Sequence, residues 1–143
     1  MTDTEKALAR IMESYQAAIY AKDVEAFMRL YDQTVRVFDA WGVWSYDNAE
    51  AWQRTVESWF NSLGIERVKA SFDEVVLSEG RDSAIVTAIV TYAGVSPEGS
   101  TLRTMQNRLT WGLRTRGHVL RIVHEHTSAP IGFEDQKAIL QRV

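Results

Sequence analysis

Apolar residues recur at helical spacing from the start of the chain, with Leu8, Ile11, Met12, Tyr15, Ala18 and Ile19 on one face. That spacing predicts an amphipathic helix over roughly the first 20 residues. Asp23 then stands as an N-cap for a short second helix in DVEAFMRLY, with Val24, Phe27, Leu30 and Tyr31 on its inner side. VRVFDAW alternates and is rich in β-branched and aromatic residues, which predicts a strand from about Val35 to Trp41. Asp47 followed by Glu50 forms a variant of the capping box. Behind it Trp52, Val56, Trp59, Phe60 and Leu63 make the apolar face of a third helix, which Gly64 stops.

From Glu66 onward the period changes to two. ERVKASFDEVVLSEG, DSAIVTAIVTYAGV, TLRTMQNRLTWGLRTRG and HVLRIVHEHTSAP are divided by turn residues at Glu79–Gly80, Ser96–Gly99 and Arg116–Gly117. Successive strands with short connections predict an antiparallel meander. The closing FEDQKAILQRV suits a short helix or a frayed tail. The order ααβαββββ defines an α+β fold: a cone-shaped, curved antiparallel sheet wrapped around N-terminal helices, a cystatin-like roll, in one domain over residues 1–143. The wide end of such a cone is where chemistry belongs, lined by whatever points inward.

Alternation assigns the faces. On the third long strand Arg103, Met105, Asn107, Leu109, Trp111 and Leu113 form the greasier set and are assigned inward. On the last strand Leu120, Ile122, His124 and His126 share one face, and Arg121 and Glu125 share the other. The histidine set is assigned inward, because Arg121 and Glu125 are better tolerated outside. Val35, Val37, Asp39 and Trp41 share a face of the first strand, which points a carboxylate into an apolar interior and raises its pKa. Tyr15 lies on the inner face of the first helix, with a hydroxyl that needs a partner.

Composition narrows the partners. A net charge of −3 and scattered basic residues argue against nucleic acid, whose phosphates need a basic face. The absence of cysteine removes disulfides, thiol catalysis and thiolate zinc sites. The N-terminus mixes charges at helical spacing and does not read as a signal peptide, so a cytoplasmic location without membrane contact is the expectation. HEH, His124 to His126, invites a metal reading, but a third ligand is needed and Asp39 is the one evident supplier. No metal and no cofactor are expected.

The chain resembles the nuclear transport factor 2-like superfamily, which includes SnoaL-like polyketide cyclases and ketosteroid isomerases. MESYQAAIYAKDVEAFMRLY followed by VRVFDAWG looks like the opening of the ketosteroid isomerases. That resemblance implies an oxyanion-hole tyrosine at Tyr15 and a general-base aspartate at Asp39. RTMQNRLTWGLRTRG through IVHEHTSAP is similar to the end of the calcium/calmodulin-dependent kinase association domain, an oligomerisation module, although Ser128-Ala129-Pro130 lacks that family's intervening glycine. The isomerases carry a second, protonated aspartate on the third long strand, where this chain offers Leu109 or Asn107.

Two functions follow. One is a cofactor-independent isomerase, cyclase or dehydratase, with Asp39 as base, Tyr15 as oxyanion donor, and Asn107, His124 or His126 as auxiliary donors. The other is a non-catalytic ligand-binding or assembly module for a small apolar or carboxylate-bearing molecule, with Arg103 as the anion contact. The missing second acid tilts the balance to the module, while the Tyr15–Asp39 pair tilts it back. Trp41, Trp59 and Met105 are the further candidate ligand contacts, and Trp41 and Trp44 equally suit a dimer contact. The outer sheet face suits a symmetric homodimer.

Overall fold

A computed structural model describes residues 1–142. Its elements are α1 (Asp3–Ala21), α2 (Val24–Met28), β1 (Tyr31–Phe38), α3 (Ala49–Ser62), β2 (Arg67–Glu79), β3 (Ser83–Val95), β4 (Thr101–Arg116) and β5 (Val119–Ser128). This is the expected ααβαββββ order. Thr2 opens α1 by accepting the Glu5 amide, and Lys22 closes it in the left-handed region at φ 57°. Asp23 caps α2 through the Ala26 amide. At α3 the expected cap gives way to its neighbour: Asn48 Oδ1 accepts the Ala51 amide at 2.8 Å. Asp47 turns instead to the Ser45 hydroxyl and the Arg36 guanidinium. Asparagine and aspartate cap about equally well, so the residue whose backbone is already extended takes the role.

The strands form one sheet in the order β1-β5-β4-β3-β2. The four long strands make the antiparallel meander, whereas β1 runs parallel to β5, so the sheet is mixed. Short hairpin connections dictate antiparallel neighbours only for consecutive strands. β1 meets β5 after the whole chain has passed between them, and nothing local fixes its direction. The concave face packs on the helices. Ile19, Val35, Val37, Val86, Val90, Trp111 and Ile122 are fully buried there.

Register shifts interrupt the pairing of the long strands at three places, one of them between Gly94 and Val95 on β3. The β2–β3 register shifts between Asp73 and Val76, where Glu74 takes φ 53°. On β5, Leu113 pairs with Ile122 but Gly112 pairs with His124, so Val123 is an extra residue. A bulge of this kind reverses which residues face inward beyond it. Ile122 is buried on one side of it, and Glu125 and Thr127 are buried on the other.

The closing segment is neither helix nor frayed tail. It folds back on itself through an Ile139 amide to Pro130 carbonyl bond and then lies along β4 beyond the reach of β5. The Gln106 amide donates to the Leu140 carbonyl at 2.8 Å, and the Arg142 amide donates to Gln106 Oε1 at 2.7 Å. Arg142 also pairs with Glu74 at the β2 bulge. Among the described residues no helix is long and apolar enough to cross a membrane.

Candidate functional site

A cavity of about 600 Å³ lies between the helices and the concave face. Its greasy wall comes from Phe27 of α2, Trp52, Val56 and Trp59 of α3, Leu63, and Val68 of β2. Leu140 of the docked tail completes the lining. Into this wall the chain sets a small group of polar side chains.

Asp39 sits just past the end of β1, where the chain leaves the sheet and returns at Tyr46 to pair with Val37. The excursion carries Trp41, Val43 and Trp44 out to solvent. Asp39 is held at its root: Oδ1 accepts the Thr127 hydroxyl at 3.0 Å and Oδ2 the Trp41 amide at 3.3 Å. Thr127 Oγ1 accepts the Ala40 amide at 2.9 Å, so one buried threonine fixes both the loop and the carboxylate. Burial pushes the Asp39 pKa above the usual aspartate value, and the bonds from Thr127 and Trp41 only partly offset it. Arg103, the partner that would have made Asp39 an ordinary ion pair, is engaged elsewhere.

Glu125 is the second acid, and it lies on β5 rather than β4. The assignment of Glu125 outward and of His124 and His126 inward is corrected by the bulge at Val123. Glu125 is 2% exposed and lines the cavity. Two neutral donors meet on its Oε1: the Tyr31 hydroxyl at 2.6 Å and the Trp111 indole at 2.9 Å. Burial raises its pKa to about 7, against the lowering effect of the Tyr31 and Trp111 bonds, and the charge of Asp39 raises it further.

Tyr15 of α1 and Tyr92 of β3 share a hydrogen bond at 2.7 Å. Burial holds both phenols well above their usual range, so both hydroxyls stay protonated. Each carries one proton, and one of the two is used between them. The other has no protein acceptor among the described residues and is available to a ligand. Asn107 of β4 is 5% exposed, lines the cavity, and has an amide oxygen with no donor among the described residues. Buried polar atoms are normally satisfied, so Asn107 Oδ1 is an exception inside the core.

The remaining expected residues divide clearly. Trp41, Trp59, Met105 and Arg103 line the cavity alongside Tyr15, Asp39 and Asn107. Arg103 does so at the rim, where its exposed guanidinium grips Glu66 at 2.5 Å. His124 and His126 do not line it. They stand on the outer face of β5, edge-on to Phe38 with ring centroids 5.1 and 5.5 Å away, and His124 Nδ1 bonds the Arg36 carbonyl at 2.7 Å. Among the described residues no three His, Asp or Glu side chains converge as metal ligands. Tyr31, Tyr92, Glu125 and Thr127 were not indicated by alternation. The readable sign was Gly112, a glycine inside a strand and directly opposite the bulge, whose added Cβ would meet His124 Cβ at 3.4 Å.

A curved sheet closed over helices around an inner cavity places the protein in the nuclear transport factor 2-like class. Within it, residues 8–132 match the SnoaL-like domain model, and the chain belongs to that family. An NTF2-like protein of unknown function from Pseudomonas putida superposes with a TM-score of 0.87 at 20% identity, covering 100% of this chain and 98% of that one. Aln2 from Streptomyces superposes at 0.79 with 12% identity, covering 90% and 91% of the two chains. A protein from Xanthomonas campestris, described as a calcium/calmodulin-dependent protein kinase II association domain, superposes at 0.72 with 17% identity over 86% and 85%. Likeness at these identities establishes the fold alone. Among curated proteins none matches the chain.

Proposed function

We propose that the protein is a cofactor-independent acid–base enzyme of isomerase, cyclase or dehydratase type, acting on a small apolar carbonyl compound. The observation that carries this reading is the pair of carboxylates, Asp39 and Glu125, both with raised pKa values in one aromatic cavity. A carboxylate whose pKa is raised toward neutrality is a competent proton carrier at working pH. Asp39 takes a proton from the carbon next to the carbonyl. The C–H electron pair moves toward the carbonyl oxygen, where the free proton of the Tyr15–Tyr92 pair meets the growing negative charge. Asp39 or Glu125 then returns a proton to carbon, or to a departing hydroxyl.

The second acid was the missing piece of the enzyme reading, and Glu125 supplies that chemistry from another strand. A carboxylate-bearing ligand is the less suitable occupant, because Arg103 is held by Glu66 at the rim. The test is NMR-detected exchange of α-protons in deuterated buffer across a panel of cyclic ketones and enones. Wild type should accelerate exchange for at least one member, and Asp39→Asn should lower that rate by about 100-fold or more. Exchange that survives Asp39→Asn undiminished would remove Asp39 as the base. A panel left wholly unexchanged, with ligands bound, would return the protein to a binding module.

A further inference from the structure

We infer that the ligand of this cavity carries a protonated nitrogen on its apolar skeleton. The inference rests on the reading of the cavity as the ligand site, and it adds the charge of the ligand to it. Asp39 and Glu125 bring four acceptor oxygens to the lining. Every protein donor that reaches the two carboxylates is uncharged: a threonine hydroxyl and a backbone amide for Asp39, a phenol and an indole for Glu125. No lysine or histidine is among the residues lining the cavity, and its one arginine is committed to Glu66 at the rim. The cavity therefore holds acidic charge that the described residues leave without a cation, inside low-dielectric walls that strengthen its field.

An ammonium group meets this environment directly, donating to a carboxylate oxygen while neutralising its charge. The tryptophan and tyrosine rings of the wall, Trp59 and Tyr92 among them, add the quadrupole attraction that aromatic surfaces offer a cation. A carboxylate on the ligand would meet two acids instead. A volume near 600 Å³ leaves room for a skeleton of one to a few rings beside that nitrogen.

Isothermal titration near neutral pH with three probes on one hydrocarbon cage tests this: 1-adamantylamine, 1-adamantanol and adamantane-1-carboxylate. The amine should bind about tenfold or more tightly than the alcohol, and the carboxylate should give no heat. The double variant Asp39→Asn/Glu125→Gln should bring amine and alcohol to within about threefold of each other. Equal binding of amine and alcohol to wild type, preference for the carboxylate, or binding of none of the three would each overturn the inference without any variant. α-Proton exchange is read separately. Exchange without amine preference leaves the acid–base reading standing and removes this one, and amine preference without exchange does the reverse.

Discussion

Glu125 and its sequence neighbours His124 and His126 occupy opposite faces of β5, and the two faces treat their polar groups differently. Inside, the glutamate is buried in the cavity wall and held by a phenol and an indole on one oxygen. Outside, the histidines lean on Phe38 at the surface, and His124 is tied to a backbone carbonyl. Histidine is the side chain usually assigned a role near neutral pH. Here the group that its surroundings bring to about 7 is a glutamate. Burial with only uncharged donors moves this carboxyl up into that range.

Removing the inner support should have the largest effect. Trp111 is fully buried, stacks edge-on to Tyr15 at 5.4 Å and donates to Glu125. Trp111→Ala empties the centre of the concave face and strips Glu125 of one donor, so urea denaturation should show a loss of about 3–5 kcal/mol. A loss below about 1 kcal/mol would mean that the inner face of β4 is not the packed core described above.

Next comes the pH response. In the unfolded chain Glu125 titrates near 4.5, and in the fold near 7. Between those values the native state keeps a proton that the unfolded chain has released. Stability from this group is therefore complete below about pH 4.5, declines as pH rises to about 7, and stays low above it. Glu125→Gln keeps an acceptor for Tyr31 and Trp111 but cannot ionise. Its melting temperature should match wild type near pH 4.5 and exceed it above pH 7, as measured by calorimetry across that range. Asp39 is the charged group acting on Glu125, and its repulsion is felt by wild type alone, so it adds to the expected difference above pH 7. Parallel melting curves for the two proteins would place the pH response elsewhere.

The same comparison shows what sequence could and could not reveal. Helical spacing placed Tyr15 on the inner face of α1, and alternation placed Asn107 inward on β4 and Asp39 beyond buried Val35 and Val37. These positions depend only on a local period that stays in phase. On β5 the period slips by one residue at Val123, and every face assignment after it reverses. Tyr92 was hidden for a different reason. On β3 Ala84, Val86, Ala88, Val90 and Tyr92 stand opposite Ser83, Thr87 and Thr91, but Ile85 and Ile89 put apolar residues on the outer face as well and blur the alternation. The Arg103–Glu66 pair spans the mouth of the cone between the start of β4 and the residue preceding β2, a contact that no spacing rule anticipates.

The smallest expected effects are on the outer face. His126 is exposed and gives no hydrogen bond among the described residues, so His126→Ala should change stability by less than about 0.5 kcal/mol. His124→Ala also loses the bond to the Arg36 carbonyl and should cost about 1 kcal/mol, since a net hydrogen bond contributes on that order. Neither substitution should alter binding of the adamantane probes by more than about twofold. His126 does line an outer hollow together with Phe38, Trp44 and Asp39. Asp39 belongs to both that hollow and the inner cavity. A marked change in probe binding on His126→Ala, with stability intact, would mean that the two faces communicate through the Asp39 loop and that the separation drawn between them is too sharp.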